Sequence, residues 1–299
     1  MRGLLERIAA GETLCGDGAW GTQLMARGLV PGACLERAGL ERPELLAEIA
    51  LAYLEAGADL LTTNTFGASP LALERHGLAE RTEEINRAAV AAIRPVATGR
   101  ALISGSVGPT GRLLLPYGDT ESEVVHGAFR RQIAALVEAG VDVVCIETMM
   151  DLEEARLAVA AAREAAGDVP VIATLTFNRT PRGFFTTMGN AVEQACAVLE
   201  ASGADLVGSN CGNGIDAMVE LAAELAAHSR VPLVIQANAG LPEQRGGELH
   251  YPESPAFMAE RVGALMDLGV AVIGGCCGTG PDHVRAIRGA IDAHRALTR

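Results

Sequence analysis

Residues 139–148 read Ala-Gly-Val-Asp-Val-Val-Cys-Ile-Glu-Thr, and the fold class follows from this pattern. The glycine is expected to end a helix, because the left-handed residue that closes a helix is most easily one without a Cβ atom. The run after the aspartate is apolar and β-branched without polar alternation, which is typical of a strand buried on both faces of a parallel sheet. The pattern therefore predicts a helix followed directly by a buried strand.

The same pattern recurs along the chain. It occurs at residues 56–59 (Ala-Gly-Ala-Asp) and 202–205 (Ser-Gly-Ala-Asp), and without the aspartate at 268–270 (Leu-Gly-Val). These sites precede the second, sixth and eighth of eight apolar runs, and residues 139–142 precede the fourth. The runs cover residues 13–20, 59–66, 101–109, 141–148, 169–177, 204–211, 232–240 and 270–278. Eight βα units in about 250 residues predict a closed (β/α)8 TIM barrel, with an open doubly wound sheet as the alternative.

Residues 1–299 are predicted to form a single domain, because no segment rich in proline, serine or charge interrupts this alternation. Three helix starts are predicted from a polar cap with glutamate three residues later, at Thr120, Asp151 and Asn190. The dipeptide Ser254-Pro255 predicts another start, since proline suits the first helical turn.

The composition excludes several classes of protein. The formal net charge of −13 disfavours nucleic acid and anionic membranes as partners. All 24 basic residues are arginine, so no Schiff base can form on a lysine side chain. The N-terminal residues do not read as an export signal, and no apolar run approaches the ~18 residues of a membrane span. With seven cysteines and no such signal, we expect a reducing cytoplasm, where cysteines are packed, catalytic or metal-bound.

Three of the cysteines predict a metal site. Cys276 and Cys277 are adjacent in the run Gly-Gly-Cys-Cys-Gly-Thr-Gly at residues 274–280, and Cys211 follows Ser-Asn earlier in the chain. Thiolates are soft ligands that favour thiophilic metals such as zinc. Three protein ligands with a fourth position open are typical of a catalytic zinc site rather than a structural one.

The predicted barrel would bring these cysteines together. Cys211 ends the sixth run and the cysteine pair lies near the end of the eighth, and chemistry in such barrels occurs at the C-terminal ends of strands. Neighbouring strand residues point to opposite faces, so both paired cysteines reach one ion only if the backbone leaves regular β geometry. The flanking glycines permit such torsion angles. The alternative is a phosphate-binding loop after strand eight, as in many barrel lyases and isomerases, but it leaves the adjacent cysteines unexplained.

The chain resembles the homocysteine S-methyltransferase family over nearly its whole length. The matching segments are residues 17–22 (Asp-Gly-Ala-Trp-Gly-Thr), 63–66 (Thr-Asn-Thr-Phe), 146–148 (Ile-Glu-Thr), 210–211 (Asn-Cys), 238–242 (Asn-Ala-Gly-Leu-Pro) and 274–279 (Gly-Gly-Cys-Cys-Gly-Thr). The last segment is highly specific, and the others gain weight from occurring in order. Residues 238–242 are more similar to the N-terminal, homocysteine-binding module of cobalamin-dependent methionine synthase than to the betaine-dependent branch.

The resemblance implies that Zn²⁺ is held by Cys211, Cys276 and Cys277, with the thiol of homocysteine as fourth ligand. A free thiol has a pKa near ~8.5, whereas a metal-bound thiol is deprotonated. The metal would therefore replace a separate general base. The implied reaction is methyl transfer to that sulfur, which converts homocysteine to methionine.

Five further residues are expected to bind the amino acid part of the substrate. The resemblance implies that Glu147 accepts hydrogen bonds from the substrate ammonium group. The turn that contains Asp17, Gly18 and Ala19 offers backbone N–H groups to the substrate carboxylate, because glycine lets backbone approach a ligand closely. Asp17 is expected to orient this turn or to join the ammonium site. Asn64 is expected to line the pocket.

The sequence allows two interpretations of Asn238. It ends strand seven, between the two strands that carry cysteines, so its side-chain oxygen is a candidate fourth zinc ligand when homocysteine is absent. It is equally interpreted as a turn residue.

The methyl donor is less well determined than the acceptor. With only three Tyr, six Phe and one Trp, few side chains can form an aromatic cage for a quaternary ammonium group. We therefore expect methylcobalamin on a separate corrinoid protein, with S-methylmethionine or betaine as alternative donors. A non-catalytic zinc-binding subunit is the remaining alternative.

Overall fold

Parallel strands form the centre of the protein, whose computed structural model describes residues 2–30, 32–245 and 248–297. The sheet contains β1 (Leu14–Cys15), β2 (Leu60–Thr62), β3 (Leu102–Val107), β4 (Val143–Met149), β5 (Val171–Leu175), β6 (Leu206–Asn210), β7 (Leu233–Ala237) and β8 (Val270–Gly275). Each strand from β2 onward pairs in parallel with the next, and β8 pairs with β1. The predicted (β/α)8 barrel is confirmed, with each strand inside one of the eight apolar runs except β4, which extends one residue further.

The barrel is closed between β1 and β2 largely by side chains. The backbone N–H of Asp59 donates to the Cys15 carbonyl oxygen at 2.7 Å, and the Asp59 carboxylate accepts from the Cys15 N–H at 2.8 Å. Further along the same seam, the Asp17 carboxylate accepts from the Thr62 N–H at 2.7 Å. Two aspartates therefore supply the acceptors that a strand ladder would supply elsewhere.

The repeated aspartate has one role wherever it occurs. The carboxylate of Asp142 accepts from the Ile103 N–H, and that of Asp205 accepts from the Val171 N–H, both at 2.8 Å. In each case the aspartate N–H also donates to the carbonyl oxygen of the same residue of the preceding strand. The repeat found in the sequence thus ties even-numbered strands to the strands before them. Gly140, two residues before Asp142, has a φ of +87° and ends its helix as predicted.

Helices surround the sheet and supply the outer layer of the core. They are α1 (Leu4–Ala9), α2 (Trp20–Ala26), α3 (Ala38–Glu41), α4 (Pro43–Glu55), α5 (Pro70–Glu74), α6 (Thr82–Ala97), α7 (Ser122–Glu138), α8 (Leu152–Ala166), α9 (Val192–Ala201), α10 (Ile215–His228), α11 (Pro255–Asp267) and α12 (Pro281–Leu297), with 3₁₀ turns at Leu35–Arg37 and Ala79–Arg81. None of the described helices is both long and apolar enough to cross a bilayer.

Two of the predicted helix caps are confirmed and two are wrong. The side chains of Asp151 and Ser254 each accept a hydrogen bond from the first turn of their helix. Thr120 instead forms an isolated bridge with Leu114, so α7 begins later, at Ser122. The side chain of Asn190 bonds to Thr186 and Gln194 rather than to the first turn of α9.

The barrel interior is filled by one apolar cluster to which every strand contributes. Its buried members are Leu4, Leu14, Leu60, Leu102, Val143, Cys145, Ile172, Leu206, Val234 and Val272. Leu4 comes from α1, which lies before β1. The interior is therefore a packed core on the side of the strand N-termini, and space for a ligand is left at the opposite end.

Two antiparallel hairpins were not predicted from the sequence. One pairs Phe177–Thr180 with Gly183–Thr186 after β5, and the other pairs Glu243–Arg245 with Glu248–His250 after β7. Both lie in connections that follow the C-terminal end of a strand, where binding loops of such barrels are found.

Candidate metal and substrate site

The sulfur atoms of Cys211, Cys276 and Cys277 lie within 4.8 Å of one another. The Cys211 and Cys277 sulfurs are 3.8 Å apart. Cys211 directly follows β6 and the other two follow β8, so the closed barrel brings together residues that are distant in the sequence. The expected meeting of the three sulfurs at this end of the barrel is observed.

Of the three flanking glycines expected to leave β geometry, only Gly278 does so. Gly274 and Gly275 remain in β8, and the positive φ angles beside the cysteines occur at Cys211 (+61°), Gly212 (+75°) and Gly278 (+80°). Gly275 is needed for a close approach instead, because a Cβ atom there would lie 2.3 Å from the Thr279 hydroxyl oxygen. The glycines thus serve tight packing as well as backbone torsion.

The three thiols are electrostatically linked. Hydrogen bonds from Cys276 and Cys277 lower the pKa of Cys211 to about 3. The hydrogen bond to Cys211 in turn raises the pKa of Cys277 to about 11 and that of Cys276 well above its usual value. The protonation of the three sulfurs is therefore coupled, and together they offer a soft donor set suited to a thiophilic cation.

A pocket of about 380 Å³ opens above the cysteines. Of the residues singled out in the sequence, the pocket lining includes Asp17, Gly18, Ala19, Asn64, Glu147, Cys211, Cys276 and Cys277. Its volume lies in the range of pockets that bury small ligands. The structure thus gathers these eight positions, drawn from five strand ends, around one cavity.

Glu147 lies on β4, where its carboxylate is held by two neighbours. The Ser106 hydroxyl donates to one oxygen, and the Asn210 amide donates to the other at 3.2 Å. Burial raises the pKa of Glu147 to about 7, against the opposing effect of the Ser106 hydrogen bond. A cationic group in the pocket would favour the charged carboxylate.

Asp17 is 1% exposed, and its carboxylate oxygens are engaged within the protein. One oxygen accepts from the Trp20 indole N–H at 2.9 Å and from the Thr62 N–H, and the other accepts from the Thr62 hydroxyl at 2.8 Å. Burial raises the pKa of Asp17 to about 6. These contacts match the loop-orienting role among the two expected for Asp17.

The turn at Gly18 and Ala19 packs tightly against the end of β8. The Ala19 N–H donates to the Thr279 hydroxyl oxygen at 3.2 Å, and a Cβ atom at Gly18 would lie 2.8 Å from the same oxygen. A substrate carboxylate that used the Ala19 amide would therefore have to compete with Thr279. Glycine at position 18 is required by packing.

The two asparagines differ in their surroundings. Asn64 donates its side-chain N–H to the Leu35 carbonyl oxygen at 2.7 Å. Asn238 follows β7 directly and is 4% exposed, and its amide contributes to lowering the pKa of Cys211. Its side-chain oxygen is buried without a hydrogen-bond partner among the described residues.

A family model described as homocysteine S-methyltransferase matches residues 14–291. The chain belongs to the homocysteine S-methyltransferase family. Methionine synthase of Mycobacterium leprae is 34% identical over 96% of this chain, and betaine–homocysteine S-methyltransferase 1 of Xenopus laevis is 35% identical over 96%. The two types of relative thus match with nearly equal identity.

The relatives differ in how much of their length is matched. The chain spans about a quarter (25%) of the methionine synthase and 74% of the betaine-dependent enzyme. The oxidized crystal form of the homocysteine methyltransferase MmuM from Escherichia coli superimposes with a TM-score of 0.78 at 25% identity, covering 96% of this chain and 99% of that one. The barrel alone therefore corresponds to almost the whole of that family member.

Several residues of the site were not predicted. Ser106 and Thr148 contact the Glu147 region, Trp20 anchors the first turn, and Tyr251 lines the pocket after the second hairpin. Asn210 had a usable signal, because it ends a strand directly before a predicted metal ligand. Tyr251 had none, since its position depends on a hairpin that the sequence did not reveal.

Proposed function

We propose that this protein transfers a methyl group to the sulfur of homocysteine, with Zn²⁺ bound by Cys211, Cys276 and Cys277. The observation that supports this most strongly is the convergence of the three sulfurs within 4.8 Å, beside a pocket that also contains Glu147. Homocysteine is named in the family description and in the names of several relatives. The proposal assigns the same acceptor to this chain.

The donor set suits zinc. Three cysteine sulfurs with one position left for a substrate correspond to a catalytic site, and soft sulfur ligands favour Zn²⁺ over hard cations. When bound, Zn²⁺ would lower the pKa of the substrate thiol and keep it as a nucleophilic thiolate at neutral pH. No other general base is then needed.

The chain's own residues would bind and orient the amino acid. The Glu147 carboxylate would accept hydrogen bonds from the substrate ammonium group, and Ser106 and Asn210 hold that carboxylate in place. The turn at Gly18 and Ala19 would face the substrate carboxylate. Fixing both charged ends orients the sulfur toward the donor, so that the methyl group moves in line while the bonding pair stays with the donor.

Asn238 is proposed to approach the zinc when homocysteine is absent. Its buried side-chain oxygen lacks a partner among the described residues, and leaving such an atom unsatisfied is costly. A structure determined with zinc and without substrate is expected to place this oxygen within bonding distance of the metal. Water or another residue at the fourth position would exclude the idea.

For the donor, we propose methylcobalamin carried by a separate corrinoid protein. The support is an apolar rim of exposed side chains in the connections that follow the strand C-termini. The rim consists of Val30, Phe66, Leu113, Leu115, Tyr117, Met150, Met188, Leu241 and Leu249. Of these, Phe66 also lines the pocket, and an exposed apolar patch beside a pocket is typical of a contact with another macromolecule.

A small cationic donor such as S-methylmethionine or betaine is the alternative. The pocket lining favours it in one respect, since Asp17, Glu36 and Glu147 are acidic and no arginine or histidine is found among its described residues. Trp20 and Phe66 also offer aromatic surface to a cation. The names of the betaine-dependent relatives support the same alternative.

The proposal is tested by metal analysis combined with homocysteine titration. We expect one zinc per chain in the wild type, and loss of both zinc and homocysteine binding in Cys277→Ala. Cys196→Ala is the matched control, because Cys196 is a buried core residue of α9 and should leave both intact. Wild-type protein that is active yet free of metal after purification in reducing buffer would contradict the proposal. Zinc without homocysteine binding would instead indicate a non-catalytic zinc subunit.

A further inference from the structure

Asn210 connects the Glu147 carboxylate, the proposed site for the substrate ammonium group, to the cysteine cluster. It is the last residue of β6, is fully buried, and directly precedes Cys211. Its side-chain N–H donates to the Glu147 carboxylate at 3.2 Å, and the same nitrogen lies 3.9 Å from the Cys276 sulfur. One amide group therefore contacts both parts of the site.

The same amide is fixed from the opposite side. Its oxygen accepts from the Thr148 N–H at 2.7 Å and from the Thr174 hydroxyl at 2.8 Å, and its nitrogen donates to the Thr148 hydroxyl oxygen at 2.7 Å. These contacts fix the orientation of the Asn210 amide, because a reversed amide would place its N–H group against the Thr148 N–H, and two donors cannot bond to each other. The amide is rigid before any ligand binds.

Backbone strain occurs on both sides of this contact. Thr148 has a φ of +59° and Cys211 a φ of +61°, and these are the positive values found at residues other than glycine in the described chain. Such a conformation is especially unfavourable for the β-branched Thr148. The pairing of β4 with β5 also shifts register between Ile146 and Met149, a bulge that reorients side chains. The Asn210 side chain bonds to both the backbone N–H and the hydroxyl of Thr148, and so stabilises this turn beside Glu147.

We propose that Asn210 is a positioning residue that sets the Glu147 carboxylate relative to the three cysteines and so selects thiols that carry an α-amino group. The inference rests on the proposed function, in which sulfur and ammonium bind at these two places. A homocysteine molecule has a limited span between the two groups, so a displaced carboxylate loses the ammonium contact while the sulfur contact remains.

The test compares two thiols on zinc-loaded protein by calorimetry. Homocysteine uses both places, whereas propane-1-thiol has no amino group and uses only the metal. Asn210→Asp keeps the shape but removes the N–H donors and adds a charge beside Glu147. We expect homocysteine to bind about 10–100-fold more weakly and propane-1-thiol to change by less than about twofold, with zinc content unchanged. Ser209→Ala is the control, because its buried hydroxyl has no partner.

Coupling is measured with a double variant. Glu147→Gln should weaken homocysteine binding similarly, and adding Asn210→Asp should cost no more than about twofold further, because the two residues act through one contact. Thr174→Val removes the 2.8 Å hydrogen bond to the Asn210 amide oxygen, together with a long 3.5 Å contact to the Ile146 carbonyl oxygen. It should weaken homocysteine binding severalfold, which gives a second measurement if Asn210→Asp does not fold.

Two results would overturn the inference. One is equal weakening of both thiols, which would indicate a merely structural residue, and the other is unchanged homocysteine binding in Asn210→Asp or Thr174→Val. Failure of the proposed function is distinct, since the wild type itself would then not bind homocysteine.

Discussion

At the scale of single residues, Asp17 serves both the site and the barrel. Its carboxylate joins β1 to Thr62 of β2 and also holds the Trp20 indole at the pocket wall. Because the group is buried, its charged form is disfavoured and its pKa rises to about 6 from the ordinary 3.8. The folded protein therefore takes up a proton on Asp17 more readily than the unfolded chain does.

This pKa predicts a pH dependence of stability. The contribution of Asp17 is fully present below about pH 4 and is lost as the pH rises to about 6, because the folded state binds the proton more tightly. Between pH 4 and 6 this loss should lower the free energy of unfolding of the wild type by an amount on the order of 2–3 kcal/mol. Asp17→Asn is isosteric but does not titrate, so we expect no such decrease from position 17 in the variant. Urea unfolding of metal-free protein between pH 4 and 7 measures it.

Two comparisons sharpen that measurement. The pKa of Glu147 is raised to about 7, so Glu147 also lowers the free energy of unfolding as the pH rises to about 7. This second decrease should remain in Asp17→Asn. Asp119→Asn, at an exposed position in the connection after β3, should follow the wild-type profile. Parallel profiles for Asp17→Asn and wild type would show that burial does not perturb Asp17.

Single residues were predictable when the sequence around them indicated their role, and not when distant contacts decided it. Cys211, Cys276 and Cys277 were predictable because thiol chemistry and strand position both indicate a site. Thr148 was not assigned a role, because its left-handed conformation depends on contacts from β6 that no local pattern reveals. Tyr251 was not predicted for a similar reason, because its position in the pocket depends on the hairpin after β7, which the sequence did not predict.

At the scale of elements, buried strands were easier to predict than helix starts. The eight runs located the strands because their apolar pattern reflects burial on both faces. The predicted caps at Thr120 and Asn190 were wrong because the Thr120 side chain bonds to Asp119 and the Asn190 side chain bonds to Thr186. At α8, Asp151 caps the helix, but Glu154 turns inward to the Thr110 N–H at 2.8 Å instead of completing the capping box. Tertiary contacts decided these cases.

The apolar rim in the connections after the strands leads to a prediction about the methyl donor. If a corrinoid protein docks on the apolar rim, Tyr117→Ser combined with Leu241→Ser should lower kcat/KM with that protein about tenfold, since both side chains are more than half exposed. Transfer from free methylcobalamin should be nearly unchanged. Methionine formation measures both.

The same assay separates the donors. Wild-type protein is supplied in turn with methylcobalamin, S-methylmethionine and betaine under identical conditions. For the rim variants, Val124→Ser is the control, because Val124 is exposed on α7 outside the rim. Equal loss with the protein-bound and the free cofactor would argue against docking on the rim, and efficient transfer only from a small cation would favour the alternative donor.

At the scale of the whole molecule, the barrel was predictable from a short repeat, whereas its closure was not. The pattern at residues 56–59, 139–142 and 202–205 indicated paired βα units, and the structure shows that each aspartate ties two strands together. Sequence alone did not reveal that β1 would contain only two residues or that carboxylates would join it to β2. Closure depends on contacts between distant parts of the chain.

The pairing of β1 with β8 sets an order of events during synthesis. Leu14 lies beside Val272, so β1 waits for β8, the last strand of the barrel to be made, before its ladder is complete. That last strand also delivers Cys276 and Cys277. A nascent chain that has reached only Cys211 can offer a metal one of the three sulfurs. If zinc binds at the three cysteines as proposed, its capture by all three therefore requires that translation has passed β8.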